Sequence, residues 1–218
     1  MIPARPARGR PQRIVLEGRY VRLEPLDAGH VPALFAAATA PGADERFRYL
    51  SEPVPESEAE LAAWAGTAAA RDPLMFAVID AVTGRAGGRQ ALMRIVPEHG
   101  VVEMGSIMWG PDIARSRKAT EALYLCACYV FDDLGYRRFE WKCNALNGPS
   151  RRAAEHFGFG YEGTFRQHMI VKGENRDTAW FAMLDTDWPR LRAEYERWLD
   201  PANFEADGTQ RTKLRLPS

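Results

Sequence analysis

The sequence predicts one mixed α/β domain of the α+β class, with a central, mostly antiparallel, twisted sheet flanked by helices. Segments with the alternation or apolar runs typical of strands are interspersed with amphipathic segments of helical period. Several strand candidates are separated only by short turns containing glycine, which favours antiparallel neighbours. The chain shows no internal repeat and no interdomain linker, so a single domain is the economical prediction.

The first half of the chain predicts a strand, two helices and a three-stranded meander. Asp27 is placed as the N-cap of the first helix, and Gly42 follows its end. Ser57 and Glu60 have the spacing of a capping box and start the second helix, which should run to about Ala70. The strands are expected at residues 14–26, 74–79, 90–96 and 101–109, with an irregular stretch at 46–55.

The second half predicts a central helix over residues 119–134 that stops at Gly135. A short helix should open at residues 147–149, with Pro149 in its first turn. Asn147 and Ser150 are natural capping residues for it, but neither is needed if Gly148 is the N-cap. Residues 1–13 are expected to be a flexible lead-in and 200–218 a loosely held tail, so the domain spans 14–199. The other elements are strands at 137–145, 161–171 and 177–184 and a helix at 188–199.

Composition excludes some classes of function. Lys+Arg and Asp+Glu are both 29, and this zero net charge argues against nucleic-acid binding by bulk electrostatics. No apolar run is long enough to span a bilayer, and no secretory signal is recognisable, so we expect a cytoplasmic protein without a membrane partner. The three cysteines form neither a disulfide framework nor a metal pair, so we expect reduced thiols and no metal.

A polar loop before the central helix carries Arg115, Arg117 and Lys118. Cations are unfavourable near a helix N-terminus, where unpaired N–H groups already present a partial positive charge. A loop that tolerates three cations there is suited to an anion such as a phosphate. A solvated basic loop explains the same residues equally well.

Four stretches of the chain, taken together in their order and spacing, carry a resemblance to a known family. The stretches are LEGRYVRLEPLDAGHVPALF (16–35), KATEAL (118–123), LGYRRFEWKCNALNGPSRRAAEHFGFGYEG (134–163) and GENRDTAWF (173–181). On these stretches the chain resembles the GNAT superfamily of acyl-coenzyme A N-acyltransferases over residues 14 to 185. It is most similar to the Rim-type branch of ribosomal-protein-alanine acetyltransferases.

The resemblance implies an enzyme that transfers an acetyl group from acetyl-CoA to a primary amine of a small molecule or a protein N-terminus. The anion is then the pyrophosphate of coenzyme A, held by the loop. Two positions that are usually glycine in this loop are Arg115 and Arg117, which is a departure from the family pattern. The implied pyrophosphate-binding residues are Arg115, Ser116, Arg117, Lys118, Ala119 and Thr120.

The resemblance also implies the other contacts to the cofactor. Pantetheine should lie along the backbone of Ile107, Met108 and Trp109, with an N–H near Met108 donating to the thioester oxygen. The strand is expected to stop pairing and splay away at residues 110–111. Asn147 resembles a pantetheine ligand.

The resemblance implies that Ser150 is the general acid that protonates the departing thiolate. The sequence does not decide which residue, if any, is the general base. Glu103 or His168 could act through a water, or no base is essential, and the position of a possible carboxylate in the Rim branch is Met169 here. The non-catalytic alternatives are that Glu103 is an ion-paired carboxylate within the sheet and that His168 is a surface residue.

A second hypothesis is a non-catalytic acyl-CoA-binding sensor that has kept the fold. The missing loop glycines and Met169 favour it, whereas the presence of Asn147 and Ser150 argues for catalysis. Turnover of acetyl-CoA with any amine would discriminate between the two. The sequence is compatible with a monomer or a homodimer.

Overall fold

An eight-stranded sheet forms the centre of the protein in the computed structural model, which describes residues 5–67 and 72–216. The strand order is β1-β2-β3-β4-β5-β6-β8-β7. Every neighbouring pair is antiparallel except β5 and β6, which are parallel. The strands are β1 (Leu16–Glu17), β2 (Val21–Pro25), β3 (Leu74–Asp80), β4 (Ala86–Val96), β5 (Val101–Trp109), β6 (Arg138–Asn144), β7 (Gly160–Val171) and β8 (Glu174–Leu184).

Helices cover the sheet from both sides and divide the core in two. Along each strand successive side chains alternate between the faces, so each layer of helices buries its own set of apolar residues. One core unites α4, α6 and the sheet; the other lies between the sheet, α1 and α3. No helix among residues 5–67 and 72–216 is long and apolar enough to cross a membrane. The helices are α1 (Val31–Thr39), α2 (Ala43–Phe47), α3 (Glu58–Thr67), α4 (Arg117–Cys128), α5 (Gly148–His156) and α6 (Trp188–Leu199).

The parallel pair β5 and β6 is short. Residues 101–104 of β5 pair with residues 138–141 of β6, and the last pair is Met104 with Trp141. Beyond this pair the two strands separate, while β5 continues to pair with β4 as far as Trp109. Helix α4 connects β5 to β6, as a crossover between parallel strands requires. The separation opens a cleft in the middle of the sheet.

The first strand prediction, over residues 14–26, is corrected to the small hairpin of β1 and β2. The carboxylate of Glu121, which is buried on α4, accepts hydrogen bonds from the N–H groups of Arg19 (2.9 Å), Tyr20 and Val21 (2.8 Å). These three donors lie in or beside the turn between the strands. A long-range carboxylate therefore fixes a turn that local alternation does not reveal.

The helix and strand boundaries also differ from the prediction in places. Helix α4 begins at Arg117, two residues early, because Ser116 is its N-cap. A π-helical turn, Tyr129–Asp133, continues the predicted helix beyond the end of α4, and Gly135 follows with a φ of 66°. The predicted meander is confirmed, although β4 starts four residues early. The stretch 46–55 is irregular as expected, apart from its first two residues, which end α2. The predicted end of the second helix, at Ala70, lies outside the described residues.

Both segments expected to be loose make specific contacts. The N–H groups of Ala7 and Arg8 donate to the carbonyls of Pro97 (2.9 Å) and Leu134 (2.8 Å). In the tail, the side-chain amide of Asn203 donates to the Trp198 carbonyl at 3.0 Å and Phe204 is buried. Residues 7–8 and 203–204 are therefore part of the folded unit.

The three cysteines are free thiols. Burial raises the pKa of Cys126 to about 12 and that of Cys128 to about 11. Cys143 is buried as well, and burial raises its pKa. Thiolates are the nucleophilic form, so these residues act as packing groups rather than as reactive thiols.

Replacing Glu121 by Gln should lower the stability of the fold. The substitution removes the charge that accepts three backbone N–H groups, and we expect a loss of about 2–4 kcal/mol, seen as a lower Tm in thermal unfolding. Glu155→Gln, at an exposed position on α5, is the matched control and should leave Tm nearly unchanged. Equal effects of the two substitutions would contradict the role of Glu121.

Candidate active site

Ser150 lies at the point where β5 and β6 separate. The indole Nε1 of Trp141, the last β6 residue paired with β5, donates to Ser150 Oγ at 3.0 Å. An indole is only a donor, so the serine oxygen accepts this bond and the hydroxyl proton stays available for donation. Burial raises the pKa of the nearby Cys143 thiol, and a hydrogen bond with Ser150 opposes that rise. Ser150 is thus positioned as a proton donor.

Asn147 is the N-cap of α5, which is the capping role left open for it by the sequence, and Gly148 is not the cap. Its Oδ1 accepts from the N–H of Ser150 at 3.0 Å, so the side chain fixes the first turn that carries Ser150. The NH₂ group of Asn147 makes no hydrogen bond within residues 5–67 and 72–216. The amide therefore combines capping through its oxygen with a donor that can serve a ligand.

A bulge in β5 shapes the other wall of the cleft. Arg89 pairs with Met108 and Ala91 with Gly105, so β5 has an extra residue here, and Ser106 adopts a φ of 49°. The strand leaves β6 after Met104, five residues before the expected splay at Gly110, which is a correction. The predicted pantetheine-binding residues Ile107, Met108 and Trp109 lie on this freed stretch.

Arg89 holds the bulge in place from the α1 and α3 side of the sheet. Its Nη1 donates to the carbonyl and the hydroxyl oxygens of Ser106, both at 2.5 Å. Its guanidinium also pairs with the Glu52 carboxylate and lies 4.2 Å from the centre of the Trp64 ring. Burial lowers the pKa of Arg89, and the pairing with Glu52 opposes this effect. A charge this deeply buried needs such a counterion.

Neither Arg89 nor Glu52 was predicted from the sequence. The signal for Arg89 was a charged residue directly before a predicted strand of the meander, although Gln90 and Arg94 are also polar residues of β4. Glu52 and Arg89, with Met108 and Trp64, line a cavity of about 40 Å³. A larger cavity of about 240 Å³ lies between α1 and residues 110–112.

The loop cations are less free than the sequence suggested. Lys118 forms an ion pair with Asp80, and the guanidinium of Arg117 lies 4.4 Å from the Tyr20 ring centre and 5.0 Å from that of Phe204. Arg115 is exposed and makes no ion pair within the described ranges. Two of the three cations therefore already have protein partners, so the side-chain charge of this loop alone does not decide between an anion site and a solvated basic loop.

The backbone of this loop supports an anion site better than its side chains do. Arg115 has a φ of 57°, so it adopts the left-handed conformation that favours glycine at the same position. Ser116 Oγ accepts from the N–H of Lys118 at 3.2 Å. The side chains of Ala119 and Thr120 are buried. Within residues 115–120, as the structure describes them, the backbone N–H groups of Arg115, Ser116, Arg117 and Ala119 make no hydrogen bond.

Glu103 lies on the opposite face of the sheet from Trp141. Its carboxylate is bound by Arg94 Nη1 at 2.6 Å and by Lys142 Nζ at 2.9 Å. Lys142 also pairs with Glu140 at 2.7 Å. Glu103 is 2% exposed, so its oxygens are enclosed by cations. This geometry is that of a structural ion-pair network.

His168 is exposed on β7, in a bulge between Phe165 and Met169. Its Nδ1 lies 3.0 Å from Thr178 Oγ1, and its ring lies 5.9 Å from that of Trp180. The hydrogen bonds of the described residues join neither His168 nor Glu103 to Ser150. The structure therefore brings Ser150, Asn147 and Trp141 together, with His168 and Glu103 apart from them.

Comparison with known proteins agrees with this geometry. Residues 21–160 match the family model of the acetyltransferase (GNAT) domain. A GCN5-related N-acetyltransferase from Brucella melitensis has 56% sequence identity and a TM-score of 0.93, covering 96% of this chain and 95% of that one. A probable acetyltransferase of the GNAT family from Chromobacterium violaceum has 38% identity and a TM-score of 0.79, covering 87% and 94%.

More distant structures share the fold. An acetyl transferase from Salmonella typhimurium, which modifies the N-terminal serine of the 50S ribosomal subunit protein L7/L12, has 18% identity and a TM-score of 0.68. The match covers 78% of this chain and 99% of that one. These distant structures share the fold, and the predicted membership of the GNAT superfamily is confirmed by the family model and the more similar structures. The comparison with curated proteins finds no match.

Glu52→Leu should destabilise the protein by about 3–5 kcal/mol, because it leaves the Arg89 guanidinium buried without a counterion. Adding Arg89→Met should recover part of this loss, as urea unfolding of both variants would reveal. Glu58→Gln, an exposed position at the start of α3, is the control and should change stability by less than about 1 kcal/mol. A double variant less stable than Glu52→Leu would contradict the pairing.

Proposed function

Because the chain belongs to the GNAT acetyltransferase family, we propose that it transfers an acetyl group from acetyl-CoA to a primary amine by direct attack on the thioester. The acceptor is a small-molecule amine or a peptide N-terminus. The observation that carries this proposal is the Ser150 hydroxyl, whose oxygen accepts from Trp141 beside the separated strands. Acyl transfer from acetyl-CoA is common to the family, whereas the kind of acceptor is our inference.

The proton for the departing thiolate comes from Ser150 in this proposal. A thiolate leaves more readily when a donor protonates it as the C–S bond breaks. The hydrogen bond from Trp141 fixes the serine oxygen, and the Asn147 cap fixes its backbone. In the structure the hydroxyl is also within hydrogen-bonding reach of the Cys143 thiol, so in this proposal its proton turns to the thiolate when the cofactor is bound.

The freed edge of β5 supports the placement of pantetheine. Backbone groups at Ile107, Met108 and Trp109 lie beyond the pairing with β6, so an extended amide chain can pair with them as a strand would. A backbone N–H near Met108 then donates to the thioester oxygen, on which negative charge develops as the amine attacks. The free NH₂ group of Asn147 is the proposed donor from the opposite wall.

The pyrophosphate is assigned to the N-terminus of α4. Unpaired N–H groups from Arg115 to Ala119 supply most of the binding, and the exposed Arg115 guanidinium adds charge. Ser116, Lys118 and Thr120 support the loop: Ser116 caps α4, Lys118 pairs with Asp80, and Thr120 N–H donates to the Ser116 carbonyl at 3.3 Å. We assign the side chain of Arg117 to packing against Tyr20 and Phe204.

A base is needed only to remove a proton from the acceptor ammonium. Of the two candidates, His168 is better suited than Glu103, because Glu103 is held by Arg94 and Lys142. A neutral imidazole has a ring nitrogen whose lone pair can accept a proton. His168 Nε2 makes no hydrogen bond within the described residues, so it can act through a water.

Ser150→Ala should lower kcat by at least about tenfold while leaving CoA affinity nearly unchanged, because only protonation of the thiolate is lost. Release of free CoA thiol, measured with a panel of amines and peptides, reports turnover, and calorimetry reports affinity. Ser150→Thr keeps the hydroxyl and should retain more activity. An unaltered rate for Ser150→Ala would remove Ser150 from this role. Measurable CoA binding without turnover of any acceptor would favour the sensor hypothesis instead.

Arg115→Ala should weaken CoA binding by about two- to fivefold at low salt, with a smaller loss at high salt, because an exposed charge is screened. Arg117→Ala is the matched comparison. Since the Arg117 side chain packs on Tyr20 and Phe204, this substitution should lower Tm and leave CoA affinity nearly unchanged. Calorimetric titration with CoA checks both variants, and a larger loss of affinity in Arg117→Ala would contradict the assignment.

A further inference from the structure

The face of the sheet opposite Ser150 carries one positive charge in excess. An ion-pair network there runs across β4, β5, β6 and β7, and each of its carboxylates pairs with at least one cation. Arg176 on β8 lies close enough to Glu103 and Arg94 to interact with both. Four cations therefore face three carboxylates. The cations are Arg94, Arg138, Lys142 and Arg176, and the carboxylates are Glu103, Glu140 and Glu162.

Arg176 is the cation without a partner. Its guanidinium makes no hydrogen bond or ion pair within residues 5–67 and 72–216, and its Nε is buried and unpaired. The adjacent Asp177 does not compensate it, because Asp177 Oδ1 accepts from Gln167 N–H at 2.7 Å and from the Asn175 amide at 3.0 Å. Burial lowers the pKa of Arg176, and repulsion from Arg94 adds to this effect. A half-buried guanidinium with no counterion is suited to an anion from outside the chain.

Arg176 is also close to the reacting end of the cleft. Thr178 pairs with Asn144, and the N–H of Ala145 donates to the Asp177 carbonyl at 2.8 Å. These contacts place Arg176 beside the 145–147 turn that leads into Ser150. The side chain also interacts electrostatically with Cys143, the neighbour of Ser150. An anion on Arg176 would therefore lie near the acetyl group, far along the cofactor from its pyrophosphate.

We propose that Arg176 binds a carboxylate of the acceptor, so that the enzyme prefers amines that carry an acid group near the reacting nitrogen. This inference rests on the proposed function. A guanidinium binds a carboxylate through two parallel N–H bonds, which would orient the amine as well as hold it. The acid is either the carboxylate of a free amino acid or an acidic side chain near a peptide N-terminus.

A second donor lies on the same face of β8. Three buried side-chain N or O atoms lack a hydrogen bond in the described chain, and two of them are Arg176 Nε and Trp180 Nε1. The Trp180 ring lies 4.6 Å from that of Phe165, which is 54% exposed, and 3.9 Å from Lys142 Nζ. The rings of Trp180 and Phe165 form an aromatic wall along the strand, suited to the apolar part of an acceptor.

The test compares acceptors that differ in one carboxylate, with kcat/KM expressed per concentration of unprotonated amine because a neighbouring carboxylate also raises the pKa of the amine. One pair is free alanine and alaninamide; the other is the amidated peptides Ala-Glu-Gly-Gly and Ala-Gln-Gly-Gly. With the full chain and acetyl-CoA, we expect kcat/KM to favour the acidic member of at least one pair by about tenfold. The pair that responds identifies the source of the carboxylate. Absence of a preference in both pairs would overturn the proposal.

Arg176→Gln should abolish this preference by raising KM for the acidic acceptor, with the neutral acceptor within about twofold of the wild-type value. Arg166→Gln, at an exposed position on the same hairpin, is the matched control and should keep the preference. An equal fall of kcat for acidic and neutral acceptors in Arg176→Gln would mean that Arg176 serves the chemistry rather than acceptor recognition. That result would overturn the proposal.

Failure of the proposed function gives a different result. If no acceptor is turned over, quenching of tryptophan fluorescence by the same four compounds, with CoA present, still measures the subsite. Tighter binding of an acidic compound to the wild type than to Arg176→Gln would support the carboxylate site even then. Equal binding by the two proteins would overturn it.

Discussion

The early end of pairing between β5 and β6 is the constraint on which the rest of the structure depends. After Met104 and Trp141 the two strands separate inside a continuous sheet, where unpaired backbone groups are unfavourable. The fold keeps the gap open from both sides: Arg89 holds the bulge of β5, and the Asn147 cap directs the chain after β6 into α5. The gap is thus built into the sheet and is suited to an extended ligand that supplies the missing partner.

The sequence predicted the order of elements and the fold class because these follow from period and turn residues. It could not predict contacts between distant residues. The turn between β1 and β2 depends on Glu121, about 100 residues away, and the early splay of β5 depends on a bulge held by Arg89. Likewise, Lys118 was visible as a cation, but its pairing with Asp80 was not.

Ser150 and Asn147 were found through a family resemblance rather than from their chemistry. The structure adds a reason for their geometry, since Trp141 and the first turn of α5 fix the serine from two directions. The charged groups lie on the opposite face of the sheet, around Glu103 and Lys142. Our proposals therefore assign the departing thiol to one side of the sheet and the acceptor to the other, which separates the two ligands in space.

The chain of contacts from Glu52 through Arg89 to Ser106 has a consequence for changing acceptor preference by engineering. Glu52 belongs to the loop that borders the small cavity beside Met108, and loops of this kind are natural places to vary specificity. Here, however, the loop also supplies the counterion of the residue that shapes the cofactor wall. Libraries that diversify this loop should therefore keep an acid at position 52, or replace positions 52 and 89 together, because a new specificity would otherwise come with a damaged cofactor site.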